Sequence, residues 1–349
     1  MKICHVINSL SGGGAETHLL DLVYAQKELG HTVNVIATGP DKKNMKSFDK
    51  EFTHASDDVL RLYFPRLLNL YSYVKFFKHL QKEQFDVVHT HQPRSDFMYF
   101  ILNFFTSFKP TWIVSIHGKY DTYLEGSLFF DKLRKLSMPL LVKIWNKSDH
   151  IICISEEVEK WLILFKIKSR TSVINYWINN AKLENLDKTK ESINIGFMGR
   201  INRNKGIEDL LEVHEELNKD RYSLFIAGSG KESYLKKLND RYDLKNVNFL
   251  GYISNKDKFF SNIDIFVFPS YSEGLGLALL ESMSYSKICI SRDVPPMNSI
   301  LNHDSGYLFQ NIEELKSIIL DCGHLYKEDL LSLNKKLSNQ YNLLNEKYN

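Results

Sequence analysis

A chain of 349 residues, 43% hydrophobic and 25% charged, is too long for one ordinary core and is composed like a soluble globular protein, which excludes disordered and collagen-like classes. The formal net charge of +3, with 25 basic against 20 acidic side chains in residues 1–188, is too small for a nucleic-acid binder. It leaves room for an anionic surface or a phosphate-bearing acceptor near the first half. The four cysteines lie far apart without metal spacing, and no apolar run approaches the ~18 residues that span a bilayer. The opening apolar stretch is too short for a signal peptide, so a reducing cytoplasm is the expected compartment.

Short apolar runs alternate with amphipathic stretches along the chain, the pattern of an α/β protein with parallel sheets covered by helices. Strands are expected at Ile3 to Ile7, Thr32 to Ile36, Asp86 to His89, Trp112 to Ile116, His150 to Ile154 and Ser172 to Ile174. The apolar period then lapses, and a second series follows at Ile193 to Met198, Ser223 to Ala227, Val247 to Leu250, Ile263 to Phe268 and Ile288 to Ser291. The expected organisation is a first domain over 1–175, a linker over 176–192, a second domain over 193–330, and a C-terminal helix over 331–349 that packs back on the first domain. Ligands of such sheets bind beyond the carboxyl ends of the strands, so the chemistry should sit on post-strand loops.

The first such loop carries Gly12, Gly13 and Gly14, followed by Glu16 and an amphipathic helix. Glycines permit close backbone approach and the helix start offers free N–H groups, so an anion such as a diphosphate is the expected guest. The spacing is not Gly-x-Gly-x-x-Gly, which argues against a dinucleotide site.

After Ile193 to Met198 come Gly199, Arg200, Arg203, Lys205 and Gly206, where two cations beside a helix start can clamp a diphosphate and stabilise it as a leaving group. After Ile263 to Phe268 come Pro269, Glu273, Gly274, Leu275 and Gly276, and then Glu281. A helical separation near two turns would place Glu273 and Glu281 on one face, with carboxylates for sugar or ribose hydroxyls and the amides of Gly274, Leu275 and Gly276 as donors.

Taken together, the glycine loop, Gly-Arg-x4-Lys-Gly, Ala227-Gly228-Ser229-Gly230 and Glu-x7-Glu resemble the GT-B-fold retaining glycosyltransferases of family 4. The resemblance implies two Rossmann-like domains facing across a cleft and transfer of a hexosyl-type sugar, with retention, from a UDP- or GDP-linked donor to a hydroxyl of a glycan or glycolipid. Bacterial surface polysaccharide or lipopolysaccharide synthesis is the implied setting. Arg200 and Lys205 would hold the diphosphate, Glu281 the ribose, Glu273 and the following amides the sugar, with Gly13, Gly14 and Gly228 also at the donor. His117, beside Gly118 at a strand end, matches the position whose histidine contacts the donor sugar in similar enzymes. The chain departs from the pattern at Asn175-Tyr176-Trp177 and at Val294-Pro295-Pro296, the latter bearing on donor choice.

His89 and His91 lack a third metal ligand identifiable in the sequence, and an acceptor-lining or capping role is preferred for them, with Glu16 as a further acceptor contact. With no Asp-x-Asp triplet, neither a metal nor another cofactor is expected. Residues 59–82 hold five basic and no acidic side chains among many aromatics. They suit either peripheral contact with an anionic membrane or a helix whose Leu67, Leu70, Val74 and Phe77 pack on the sheet. The competing functions are an epimerase or hydrolase of nucleotide sugars and a non-catalytic donor-binding partner of a polysaccharide-assembly complex.

Overall fold

The computed structural model describes the chain apart from Gly12, residues 40–47, 63–68, 121–127, 179–182 and 187–188, Ser254 and Asn349, and gives backbone only for 128–131, 133 and 134. Residues 63–68 of the basic aromatic stretch, part of the expected linker and the first glycine of the loop therefore lie outside the described residues. The chain divides into two compact units, residues 1–121 with 132–175, and Tyr176–Asn349.

The first unit holds a parallel sheet of β1 (Lys2–Ile7), β2 (Thr32–Ala37), β3 (Asp58–Arg61), β4 (Val87–His91), β5 (Thr111–Ile116), β6 (His150–Cys153) and β7 (Arg170–Val173). Their spatial order is β3-β2-β1-β4-β5-β6-β7. The strands read as continuous apolar runs because helices cover both faces, and β1 is buried over Ile3–Ile7. Strand β3 is an addition to the expected set: its Asp-Val-Leu-Arg sequence is half polar, as an edge strand permits. The chain winds outward from β1 in one direction and from β4 in the other, so the reversal of strand order falls between β1 and β4.

The second unit repeats the plan with β8 (Ile193–Met198), β9 (Tyr222–Ala227), β10 (Val247–Gly251), β11 (Ile265–Phe268), β12 (Ile288–Arg292) and β13 (Tyr307–Phe309), in the order β10-β9-β8-β11-β12-β13. Here the reversal lies between β8 and β11. The three-residue edge strand β13 is a second addition, too short to show a period. The stretch expected to be a linker is tied to this unit: Lys190 pairs with Asp264, and the Leu186 amide donates to Asn334 Oδ1 at 2.7 Å. The C-terminal helix Leu330–Lys347, expected to serve the first domain, adds Leu333 and Leu337 to the core of the second.

In the helix Leu70–Glu83 the apolar stripe expected from sequence is rotated. Ser72, Phe76 and Leu80 are buried, while Leu70 and Tyr71 are about three-quarters exposed and Val74 is exposed beside Lys75 and Lys78. The Asn69 side chain caps this helix by accepting from the Ser72 amide. All four cysteines are buried and free, and burial pushes the thiols of Cys153, Cys289 and Cys322 up to about 12.

Two glycines fix how the loops at the β8 end pack. Gly206 has φ +65°, and a Cβ there would lie 2.1 Å from the Pro269 carbonyl oxygen; Gly228 has φ +144°, and a Cβ would lie 1.8 Å from the Gly199 carbonyl oxygen. Gly30 also has positive φ (+78°) but open space around it. Gly206→Ala should therefore lower the unfolding midpoint well beyond Gly30→Ala, which carries the backbone strain of about 1–3 kcal/mol without the clash. Equal midpoints for the two variants would show that the loops do not meet at Gly206.

Candidate active site

In the second unit the chemistry gathers where the strand order reverses. Arg200 follows β8, is exposed, and enters no ion pair among the described residues. Lys205 ends a short 3-10 turn, Arg203–Lys205, that Asn202 caps by accepting from the Lys205 amide at 3.2 Å. Its ammonium pairs with Glu273 and lies 5.6 Å from the centre of the Phe268 ring, so loops after β8 and β11 meet through opposite charges.

Asn204, which sequence reasoning missed, joins the same two loops. It is buried, its backbone carbonyl accepts from the Tyr271 amide at 2.9 Å, and its Nδ2 donates to the Ser272 carbonyl at 2.9 Å. Arg292, at the end of β12, supports the second loop from beneath. Its Nε donates to the Pro269 carbonyl at 3.0 Å, it pairs with Asp209, and it lies over the Tyr271 ring at 4.2 Å. The Tyr271 hydroxyl donates to the same Asp209 at 2.7 Å. None of these residues forms a local motif: Asn204 and Ser272 stand 68 positions apart, Arg292 and Asp209 83.

Glu273 and Glu281 are not on one helical face. The helix spans Leu277–Ser284 with Gly276 at its N-cap (φ +86°), so Glu273 precedes it in a loop and Glu281 lies one turn in. Helical periodicity does not relate the two, and each takes its own cation: Lys205 for Glu273, and Lys256 for Glu281. Gly274, Leu275 and Gly276 are buried. Met297 and Ile300, just beyond Pro295 and Pro296, approach the Gly276 turn and support it. Gly228 acts through the backbone, making room for the Gly199 carbonyl immediately before Arg200.

In the first unit Gly13 is the N-cap of the helix Gly14–Glu28 in an extended conformation, and Gly14 is exposed. Glu16 is buried in the first turn; a Cβ on Gly13 would lie 2.5 Å from its Oε2, and the Gln92 side chain donates to its Oε1 at 3.4 Å. The positive end of this helix thus already faces a carboxylate, which argues against the diphosphate read from the glycine spacing alone. Glycine here admits Glu16.

The histidines form a connected buried group. His5 of β1, unnoticed in the sequence, is a neighbour of His89 and His91 of β4, and one nitrogen from each lies within 4.8 Å of the others. The third nitrogen that sequence could not identify is therefore His5. Hydrogen bonds occupy this group: Gln26 Oε1 to His5 Nε2 at 2.8 Å, His5 Nδ1 to His91 Nε2 at 3.1 Å, His91 Nδ1 to His117 Nε2 at 3.1 Å, and His89 Nε2 to Ser115 Oγ at 2.8 Å. His89 and His91 are buried, so neither presents the acceptor-lining surface expected of it. His117, half-buried at the end of β5, is the outermost member of the row.

Burial holds the whole group neutral. It pushes His5 and His117 down to about 4, pushes His18 down to about 3 with His117 and His5 adding repulsion, and takes His89 and His91 well below the usual imidazole value. The unfolded chain therefore binds more protons than the folded one between about pH 6.5 and 4. Stability is lost as pH falls through that window, by about 1.4 kcal/mol per pH unit for each histidine kept neutral. The thermal midpoint should drop from pH 7 to pH 5, and a midpoint that stays level would contradict neutral burial.

The sequence matches Glycosyltransferase Family 4 over residues 12–182 and Glycosyl transferases group 1 over residues 179–339. It is 23% identical over 353 residues to the O-antigen biosynthesis glycosyltransferase WclY of Escherichia coli, covering 96% of this chain and 92% of that one. It is 25% identical to the capsular polysaccharide biosynthesis glycosyltransferase CapH of Staphylococcus aureus, covering 94% of both. Its fold is similar to Anabaena HepE solved with UDP-glucose, at a TM-score of 0.82 and 18% identity over 100% of this chain and 96% of that one. The two parallel sheets and these likenesses agree on a GT-B architecture. The chain belongs to the group 1, family 4 glycosyltransferases.

Proposed function

We propose that this glycosyltransferase moves a hexosyl-type sugar, with retention and without a metal, from a UDP- or GDP-linked donor to a hydroxyl of a glycan or lipid-linked glycan in bacterial surface polysaccharide assembly. The observation that carries the proposal is the gathering of exposed Arg200 and the Lys205–Glu273 pair where the second sheet reverses its strand order. Permanent cations at that point suit a diphosphate and offset the charge that grows on it as it departs. Lys205 is already engaged by Glu273, so the ammonium is held in position before a ligand arrives. Glu281 takes the ribose hydroxyls, while Glu273 and the amides of Gly274, Leu275 and Gly276 take the transferred sugar. His117 supplies a neutral polar contact to that sugar.

The relatives support the donor and the setting. HepE was solved with UDP-glucose, and WclY and CapH are named for O-antigen and capsular polysaccharide synthesis. Calorimetry with UDP- and GDP-hexoses should find one that binds, and Lys205→Ala should weaken it at least about tenfold, the loss of one charge-assisted contact to phosphate. Unchanged affinity in Lys205→Ala would remove the assigned diphosphate site. Epimer formed from the donor alone, without an acceptor, would favour an epimerase instead.

Peripheral membrane contact is part of the same proposal. No helix among the described residues is long and apolar enough to cross a membrane. The helix Leu70–Glu83 exposes Leu70, Tyr71 and Val74 together with Lys75 and Lys78, an apolar and basic face fitted to an anionic interface. A lipid-linked acceptor would lie at that surface. Flotation with phosphatidylglycerol vesicles should recover the protein, and changing Lys75 and Lys78 to Ser should reduce the recovery; equal recovery would remove this face from the proposal.

A further inference from the structure

The carboxylate of Glu281 is held from outside its own helix. Lys256, the first residue of the helix Lys256–Ser261 that follows β10, donates from its ammonium to Glu281 Oε1 at 2.5 Å. Among the described residues this is the one ion pair that Glu281 makes. The neighbouring Asp257 accepts from the Tyr285 hydroxyl at 2.6 Å, and the Tyr285 ring stacks on that of Phe260 with centroids 4.4 Å apart. The Tyr285 amide donates to the Glu281 carbonyl at 3.2 Å, so the two residues stand one helical turn apart. Adjacent residues of one helix therefore grip successive turns of the other. Asn255 caps the gripping helix by accepting from the Lys258 amide at 2.9 Å, which fixes the turn that carries Lys256.

A glutamate on a helix turns about several side-chain bonds, the last of them only weakly restricted, so an unheld carboxylate spreads its oxygens over a wide arc. A charge-assisted hydrogen bond to one oxygen fixes the plane of the group and leaves lone pairs on both oxygens for further donors. The charge of the partner matters as well. A bare carboxylate close to a diphosphate repels it, and a cation paired with that carboxylate offsets the repulsion.

We infer that Lys256 is a positioning residue for the donor: it orients the Glu281 carboxylate toward the ribose hydroxyls and makes binding depend on those hydroxyls. The inference rests on the reading of Glu281 as the ribose contact. Lys256 acts through Glu281 and not through a contact of its own with the diphosphate, which falls to Arg200 and Lys205.

The test is calorimetry with UDP, GDP and their 2′,3′-dideoxy counterparts on wild type, Lys256→Met, Lys256→Gln and Lys256→Arg. Methionine keeps the apolar stem without the charge, glutamine serves if Lys256→Met fails to fold, and arginine keeps the cation. In the wild type, removing both hydroxyls from the nucleotide that binds should weaken it about tenfold or more, the loss of hydrogen bonds to a charged acceptor. In folded Lys256→Met or Lys256→Gln the same removal should cost less than about threefold, because the coupling between the cation and the hydroxyls is gone. Lys256→Arg should restore the larger penalty. A full penalty in a folded neutral variant, including one that weakens both nucleotides alike, would overturn the inference. No penalty in the wild type would instead overturn the ribose role of Glu281, a result that involves no Lys256 variant. Binding of neither UDP nor GDP would overturn the donor itself.

Discussion

The arrangement at the second sheet depends on how closely two loops approach one another. Gly206 lies so near the Pro269 carbonyl that no side chain fits between them, and this contact brings the post-β8 and post-β11 loops together. Asn204 then bonds Tyr271 and Ser272 of the post-β11 loop, Lys205 meets Glu273, and Arg292 with Asp209 and Tyr271 holds the loop from below. Burying a cation such as Arg292 is costly unless it is paired and hydrogen-bonded, and here Asp209, two backbone carbonyls and two aromatic rings offset that penalty. The result is preorganisation: the Lys205 and Glu273 charges are positioned by backbone and buried polar contacts before any ligand arrives.

The first unit solves a different problem, since its polar groups near the strand ends are neutral. Five histidines, His5, His18, His89, His91 and His117, share a region in which water is largely excluded. Imidazoles suit this setting because each satisfies donor and acceptor needs without charge, whereas lysines there would have to be desolvated or discharged. The penalty falls on acid stability rather than on packing. Glu16 shows a related use of charge at the helix start, where its carboxylate packs against Gly13.

Much of the site is legible in the sequence because its members are short-range signals. Gly-Arg-x4-Lys-Gly follows a strand and precedes a helix, and the run from Pro269 through Gly276 follows another, so Arg200, Lys205 and Glu273 stand out from position alone. Glu281 stands out as well, but its helical relation to Glu273 does not hold, because the helix start at Leu277 depends on the Gly276 turn and not on residue spacing. Asn204, Arg292, Lys256, His5 and Gln26 give no such signal, since what distinguishes each is a partner distant in the chain.

Residue order alone settles the class of fold and the succession of its strands along the chain, because apolar runs and their spacing depend only on neighbours in sequence. It also settles that cations follow β8 and carboxylates follow β11. Which strands lie side by side emerges only in three dimensions, where β1 pairs with β4 and β8 with β11 across intervening segments that could have paired otherwise. That pairing is what sets His5 against His91 and Lys205 against Glu273. Edge strands β3 and β13, the buried face of the helix Leu70–Glu83, and the neutral state of the histidines follow from it as well. Each depends on what covers a residue, and burial is a property of the packed chain rather than of any segment within it.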